Sequence, residues 1–500
     1  MTPRATIDLT LVLDRSDPRP LPVQVADGIR EQITRSTLTP GDALPSTRVL
    51  ASQLKVSRGT AVAAYDQLLA EGYVLASQGK PTTVHPQLDR IHPVATDQQS
   101  IKEPDSSHAV VAHDTRATPA APADRGRSAA LLDLRPGQPD TGQVAGTAWR
   151  SAWRHAAQQP TDAPEQPLGS SDLRTAVAEH LRLMRALPVP SSHIAVTAGA
   201  REGLTLLLAA AAARVSRTQL RIGLESPGHP GLRQVPTAHG HTVVPCPVDS
   251  HGLRVDLLPT GRDAPDVLIV TPSHQYPLGG SLTLDRRLAL LEWAQRWDVL
   301  IVEDDFDSEL RYVGTPLPTL SDLDTSREQV ALLGTFSTLL TPSLATGYLV
   351  LPLNLVGDVT RLRATLGLPV AATTQYALAH LLDSGYVRRH TQRMRATYRR
   401  RRTAVQQAFE QADHARLTPM HGGIDAVIDT DLPEDTVVHR CQEAGLRVGR
   451  QSSYWAWGTR GKPASPLATT TGQGIAVGFA QAGDDALRDL LPRLVQACGG

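Results

Sequence analysis

Residues 86–130 divide the chain and constrain everything on either side. These 45 residues hold five prolines and many Ala, Asp, Ser and Thr, with no Phe, Tyr or Trp. So little apolar surface cannot offset the entropy of ordering the segment. It is expected to be a disordered linker, spanning roughly 35–40 Å as a flexible coil. The other reading, one long surface excursion of a single domain, needs an uncommonly long structureless loop. The chain therefore divides into a small N-terminal unit, residues 1–85, and a large C-terminal unit, residues 131–500.

Charge and cysteine usage narrow the function classes. The 50 basic and 50 acidic side chains cancel, so any contact with nucleic acid must be local. No apolar run approaches the ~20 residues needed to cross a bilayer. Leu9, Leu11 and Leu13, broken by Asp8 and Asp14, do not form the apolar core of a signal peptide. Cys246, Cys441 and Cys498 lie far apart, without metal-ligand spacing. A cytoplasmic protein with no membrane partner is expected.

In the N-terminal unit Val25, Ile29 and Ile33 give one apolar face to a helix that ends before Thr39-Pro40-Gly41. Ser46 is placed to cap a short helix carrying Val49, Leu50 and Leu54 inward. Lys55-Val56 makes a tight turn, and Ser57 caps a second helix, residues 58–71, closed by Gly72. That is helix-turn-helix geometry. Tyr73-Val74-Leu75 and Thr82-Thr83-Val84 then read as a two-stranded wing around Gly79. The first turn of the second helix would offer Arg58, Gly59 and Thr60 to a major groove, where arginine bonds guanine at two atoms. Arg48 and Lys55 flank it, so residues 46–62 carry three cations and no acid.

Leu44-Pro45-Ser46-Thr47-Arg48, Val56-Ser57-Arg58-Gly59-Thr60 and Leu69-Ala70-Glu71-Gly72-Tyr73 resemble the DNA-binding domain of GntR-type transcription regulators. The resemblance implies that Arg48, Arg58, Thr60 and the wing glycine Gly79 contact operator DNA; the flanking cation Lys55 and the cap Ser57 are expected at the same surface. Pro81 stands where the family's wing carries a second glycine.

In the C-terminal unit, apolar runs end in polar loops: 194–196 before Thr197-Ala198-Gly199-Ala200-Arg201, 267–270 before Thr271, 299–302 before Glu303-Asp304-Asp305-Phe306, and 330–333 before Gly334-Thr335-Phe336-Ser337-Thr338. Amphipathic helices lie between, such as residues 282–297. This alternation predicts an α/β domain with a mainly parallel sheet. Its ligand site is expected beyond the carboxyl ends of the strands, where the polar loops fall.

Those loops resemble the fold-type I aminotransferases. Together with the GntR-like head and the linker, they make the chain similar to the MocR-type regulators. That resemblance implies a homodimer, a pyridoxal 5′-phosphate (PLP) site and an effector-sensing body. The matching positions have lost most of the chemistry. Thr338 stands at the imine-forming lysine, and a hydroxyl cannot form a Schiff base. Ala345 stands at a phosphate-binding arginine, Phe306 at the tyrosine that bonds the cofactor's phenolic oxygen, and His229 at the aromatic lid. Ala476 stands at the carboxylate-gripping arginine, while Asp304, the partner of the pyridinium nitrogen, is kept. The chain has four lysines, Lys55, Lys80, Lys102 and Lys462, so Lys462 is the only one after residue 130.

The residues at this degenerate pocket are then Gly199, Ala200, Arg201, His229, His274, Asp304, Phe306, Ser337 and Thr338. Arg201, on the first turn of a helix whose N-terminus attracts anions, could replace part of the lost phosphate clamp. No catalytic residue, covalent PLP or metal set is expected. The arginine-rich run 388–402, interleaved with Val387, Met394 and Tyr398, reads as a helix with a solvated charged side. The leading reading is a sequence-specific transcription regulator whose body dimerises and senses an unidentified small molecule. The alternative is a PLP-binding regulator or PLP-dependent aminotransferase that keeps its cofactor despite Thr338.

Overall fold

A computed structural model of the chain describes residues 11, 13, 21–34, 37–70, 73–75, 81–84, 131–160, 166–312, 317–455 and 473–499. The expected linker, Gly72, Gly79 and Lys462 lie outside the described residues.

The head is built from α1 (Leu21–Thr34), α2 (Thr47–Gln53) and α3 (Arg58–Ala70), followed by the antiparallel pair β1 (Val74–Leu75) and β2 (Thr83–Val84). Val25, Ile29, Leu50, Ala61, Ala64 and Leu68 close its core. Ser46 caps α2 by accepting from the Val49 amide at 3.3 Å. Lys55 supplies the turn with a left-handed φ of 51°. The Tyr65 hydroxyl donates to the Pro45 carbonyl at 2.7 Å and ties α3 to the entry of α2. One inward position was misread: Val49 is 46% exposed. Leu50 takes the buried position, because a helix of seven residues has only a narrow inner stripe.

The body opens with β3 (Leu132–Asp133), α4 (Thr147–Ala157) and α5 (Ser171–Arg185). It continues through β4 (Ile194–Thr197), α6 (Ala200–Arg214), β5 (Arg221–Ser226), α7 (Pro230–Ala238), β6 (Thr242–Asp249) and β7 (Gly252–Leu253). Next come β8 (Val267–Val270), α8 (Leu284–Trp297), β9 (Leu300–Asp304), β10 (Val330–Thr335) and β11 (Gly347–Val350). Strands β4 to β11 form one sheet in the order β4-β11-β10-β9-β8-β5-β6-β7. The five consecutive strands from β10 to β6 run parallel, and β11 is antiparallel to both its neighbours. Every residue of β4 and β8 is buried, as befits strands covered on both faces. Leu282 is buried just ahead of α8, so that helix starts two residues later than its apolar pattern indicates.

Beyond the sheet lie α9 (Val356–Leu366), α10 (Ala372–Asp383) and the long α11 (Tyr386–Phe409). A second, antiparallel sheet has the order β12-β13-β16-β15, with β12 (Ala415–Leu417), β13 (Asp425–Thr430), β15 (Gly449–Arg450) and β16 (Gly474–Gly478). Strand β14 (Leu446–Arg447) pairs with β3, and α12 (Asp484–Ala497) closes the chain.

The arginine run lies on α11, and its apolar stripe of Val387, Met394, Tyr398 and Val405 is buried as expected. Its charged side is less solvated than the sequence suggested. Arg401 is buried, bonding Asp484 at 2.7 Å, Asp140 at 3.0 Å and the Ala480 carbonyl. Arg402 donates to the Met420 carbonyl at 2.5 Å. These arginines cross-link the body, because each long side chain reaches an acid or carbonyl on a neighbouring element.

Candidate functional site

In the head the expected DNA-reading side chains share one edge. Arg48, Lys55, Ser57 and Arg58 are exposed and Thr60 is partly so, on α2, the turn and the first turn of α3. Ser57 and Thr60 also have a local task. The Ser57 hydroxyl accepts from the Thr60 amide at 3.0 Å and lies 2.9 Å from the Thr60 hydroxyl. That cap fixes the angle at which α3 presents Arg58.

In the body the parallel strands β5, β8, β9 and β10 bring their carboxyl ends together with the loop after β4. Gly199, with φ +84°, caps α6 without a side chain. Arg201 is exposed. A methyl added at Gly231 would meet its Nη2 at 2.5 Å, so the guanidinium lies over the first turn of α7. His229 caps that helix: its Nδ1 accepts from the amides of Gly231 and Leu232 at 3.1 and 3.3 Å. Burial, and then the charge of Arg201, push its pKa down to about 4. Held this way, the ring sits 5.1 Å from that of Tyr276, tilted by 38°.

Asp304 ends β9 at the floor of the site. Its Oδ1 is buried with no hydrogen-bond partner among the described residues. Burial raises its pKa well above the usual carboxylate range, and Asp305, Asp307 and Glu225 add to the effect. Glu225 accepts from the hydroxyl of Thr271 and from Gln275 Nε2 at 3.4 Å, and burial lifts it to about 7. Asp425 accepts from the Gly137 amide at 2.9 Å and is likewise lifted to about 7 by burial. His274 pairs with Asp307 at 2.8 Å; burial opposes its charge, but the Asp307 carboxylate outweighs it and raises the pKa.

Phe306 meets Tyr276 edge-on, ring centres 5.5 Å apart, and Tyr276 lies 5.4 Å from Tyr454. Ala476 is buried in the same aromatic cluster. Ser337 and Thr338 are partly buried just beyond β10, while Ala345 is exposed with a φ of 44°.

The residues at this floor fit one feature of PLP and not the others. The unpartnered oxygen of Asp304 suits a protonated ring nitrogen. No lysine lies among the described body residues, and Thr338 supplies a hydroxyl where an amine is needed. The open space between Asp304, Glu225, Thr271 and His229 is about 20 Å³, room for about one water molecule. No group of three His, Cys, Asp or Glu side chains among the described residues could hold a metal ion. No described helix is long and apolar enough to cross a membrane.

Sequence reasoning missed Glu225, Tyr276, Asp425 and Tyr454 at this site. Glu225 had a readable signal, an acid directly after the apolar run Ile222-Gly223-Leu224. Asp425 and Tyr454 come from the second sheet and the loop beyond it, far away in sequence.

A winged helix joined to an aminotransferase-fold body defines a DNA-binding regulator built on an enzyme scaffold. Residues 21–84 match the bacterial regulatory proteins of the gntR family, and residues 129–448 match aminotransferase class I and II. The chain belongs to the MocR-type subfamily of GntR transcription regulators. It is 44% identical to the HTH-type pyridoxine biosynthesis transcriptional regulator PdxR of Corynebacterium glutamicum, over 98% of both chains. It is 33% identical to the probable rhizopine catabolism regulatory protein MocR of Rhizobium meliloti, over 78% of this chain and 77% of that one. Among solved structures, kynurenine aminotransferase of Pyrococcus horikoshii shares the fold, with a TM-score of 0.64 at 21% identity, covering 74% of this chain and 91% of that one.

Proposed function

We propose that this transcription regulator reads operator DNA with Arg48, Lys55, Ser57, Arg58, Thr60 and Gly79. In this reading the head is residues 1–85, the linker 86–130 and the body 131–500. The body pairs two chains in the cytoplasm and senses a small molecule without transamination. The observation that carries the non-enzymatic part is Thr338 where the imine-forming amine belongs, in a body whose only lysine is Lys462. The exposed edge of Arg48, Lys55 and Arg58, held by the caps of Ser46 and Ser57, supports the DNA reading. Dimerisation is supported by the aminotransferase fold, and two heads would then meet two half-sites.

A second reading has one observation in its favour. The unpartnered Oδ1 of Asp304 would accept the ring nitrogen of a PLP held without a covalent bond. One experiment addresses both. The purified protein is mixed with PLP, its visible spectrum recorded, and its mass measured after borohydride reduction. The first reading expects no imine band and no added mass. A dialysable absorbance without added mass supports the second, and a stoichiometric adduct overturns both. For the head, Arg58→Ala should weaken binding to a fragment selected from random DNA by about 1–3 kcal/mol and relax one base position. An unchanged affinity would remove Arg58 from the interface.

A further inference from the structure

The last turn of α5 touches both the head and the floor of the ligand site. Leu183 is fully buried, and among the described residues the cluster that buries it is otherwise made of head residues, such as Ile29, Leu50, Leu68 and Tyr73. One residue earlier, Arg182 grips Glu179 through two bonds of 2.7 and 2.8 Å and also bonds Tyr73 of the head. Arg30 of α1 and Arg388 of α11 add their charges around Glu179. The head's α3 itself packs on α11. Two residues after Leu183, and so about 200° around the helix, Arg185 points the other way. It is buried and bonds both carboxylate oxygens of Asp305, at 2.9 and 3.1 Å, and the Ser273 hydroxyl at 3.1 Å. Asp305 is the neighbour of Asp304, and Ser273 lies two residues beyond Thr271. One turn higher, His180 bonds Glu309 at 2.8 Å, a second tie from α5 to the loop after β9.

We propose that this turn of α5 is the relay between the body's ligand site and the DNA-binding head. Asp305 and Ser273 hold Arg185, Arg185 fixes the rotation and depth of the helix end, and that end sets how firmly Leu183 anchors the head. An occupant that draws on Asp305 or moves the Ser273 loop frees Arg185 and loosens the head. The DNA-reading edge faces away from the contact: Arg48, Lys55 and Arg58 stay exposed with the head docked. The relay therefore alters the position of a competent head and does not cover its reading surface. By linkage, loosening the head must change the ligand site by the same factor.

The relay rests on reading the body as a sensor, but its test needs no ligand. Hydrogen exchange would be followed in the full-length protein in α11 and α3, which pack on each other. Leu183→Ala should raise exchange there about tenfold through loss of the anchor. Asp305→Asn, whose side-chain bonds among the described residues go to Arg185 of the body, should raise it in the same segments. Exchange in β13 and β16 should stay native and so report an intact body. Ser273→Ala, which removes a single bond to Arg185, should give a smaller rise and decides the matter if Asp305→Asn does not fold. Native exchange in α3 and α11 after the pocket substitutions, with a rise for Leu183→Ala, would overturn the relay. So would native exchange after Leu183→Ala. A head loosened by Asp305→Asn, in a protein whose DNA affinity no small molecule alters, would sink the sensor reading and leave the relay standing.

Discussion

The ionisation of Glu225 gives the most direct test of how the ligand site is built. Its carboxyl is buried, has Thr271 and Gln275 as donors, bonds no cation among the described residues, and is lifted from 4.5 to about 7. A carboxyl with a raised folded pKa costs nothing below its unfolded pKa. Its penalty grows as pH rises between the two values and is complete above the folded one. At 1.36 kcal/mol for each pH unit of difference, the full penalty is about 3 kcal/mol. At pH 5 it is below about 1 kcal/mol by the same linkage. Glu225→Gln keeps an oxygen for both donors and removes the charge. With an unfolding entropy near 2.1 cal/mol/K per residue over the body, 3 kcal/mol corresponds to about 4 °C. Scanning calorimetry should therefore find the variant about 4 °C more stable than the native chain at pH 8 and only about 1 °C more stable at pH 5. An equal shift at both pH values, or a loss of stability at pH 8, would refute the reasoning. Either result would mean that an unseen partner already compensates the charge.

Two further outcomes follow from the same kind of argument. Leu50→Ala should cost the head about 2–5 kcal/mol in denaturant unfolding by emptying its core. Val49→Ala, one residue away but 46% exposed, should stay within about 0.5 kcal/mol. The His229 pKa is lowered to about 4, so the native chain should lose stability as pH falls from 6.5 towards 4, by about 2 kcal/mol given its partial exposure. His229→Asn keeps a cap for α7 and should flatten that window, as read from urea midpoints at pH 7 and pH 4.5.

What the sequence made legible was local or periodic. The caps of Ser46 and Ser57, the turn at Lys55 and the buried runs of β4, β8 and β10 each depend on residues within a few positions of one another. So does Gly199 at the start of α6, whose positive φ suits a residue without a side chain. The misreadings came where a longer reach decides. Val49 lay outside the stripe that α3 covers, and Arg401 found Asp140 across 261 positions. The pair of Arg185 and Asp305 spans 120 positions and that of Asp425 and Gly137 spans 288. No spacing rule announces such partners. A charged residue that falls on the buried face of an amphipathic helix is the nearest thing to a signal, and Arg185 on α5 is one.

The electrostatics of the site bear on Arg201. Glu225, Asp304 and Asp425 are all buried near the floor, and burial raises the pKa of each. A negative ligand at that depth would add to the repulsion that already raises Asp304, whereas Arg201 stands exposed at the rim over α7. An anionic group held by Arg201 therefore has its place at the mouth, beside His229, and the floor favours a neutral or protonated group. A ligand meeting both conditions carries its negative end outward and its proton-bearing end toward Asp304. It reaches Asp305 and the Arg185 bond only from that inner end. Arg201→Ala should therefore weaken such a ligand while leaving the docking of the head, read by hydrogen exchange in α3 and α11, at its native level. A loosened head in that variant would place Arg201 in the relay instead of at the mouth.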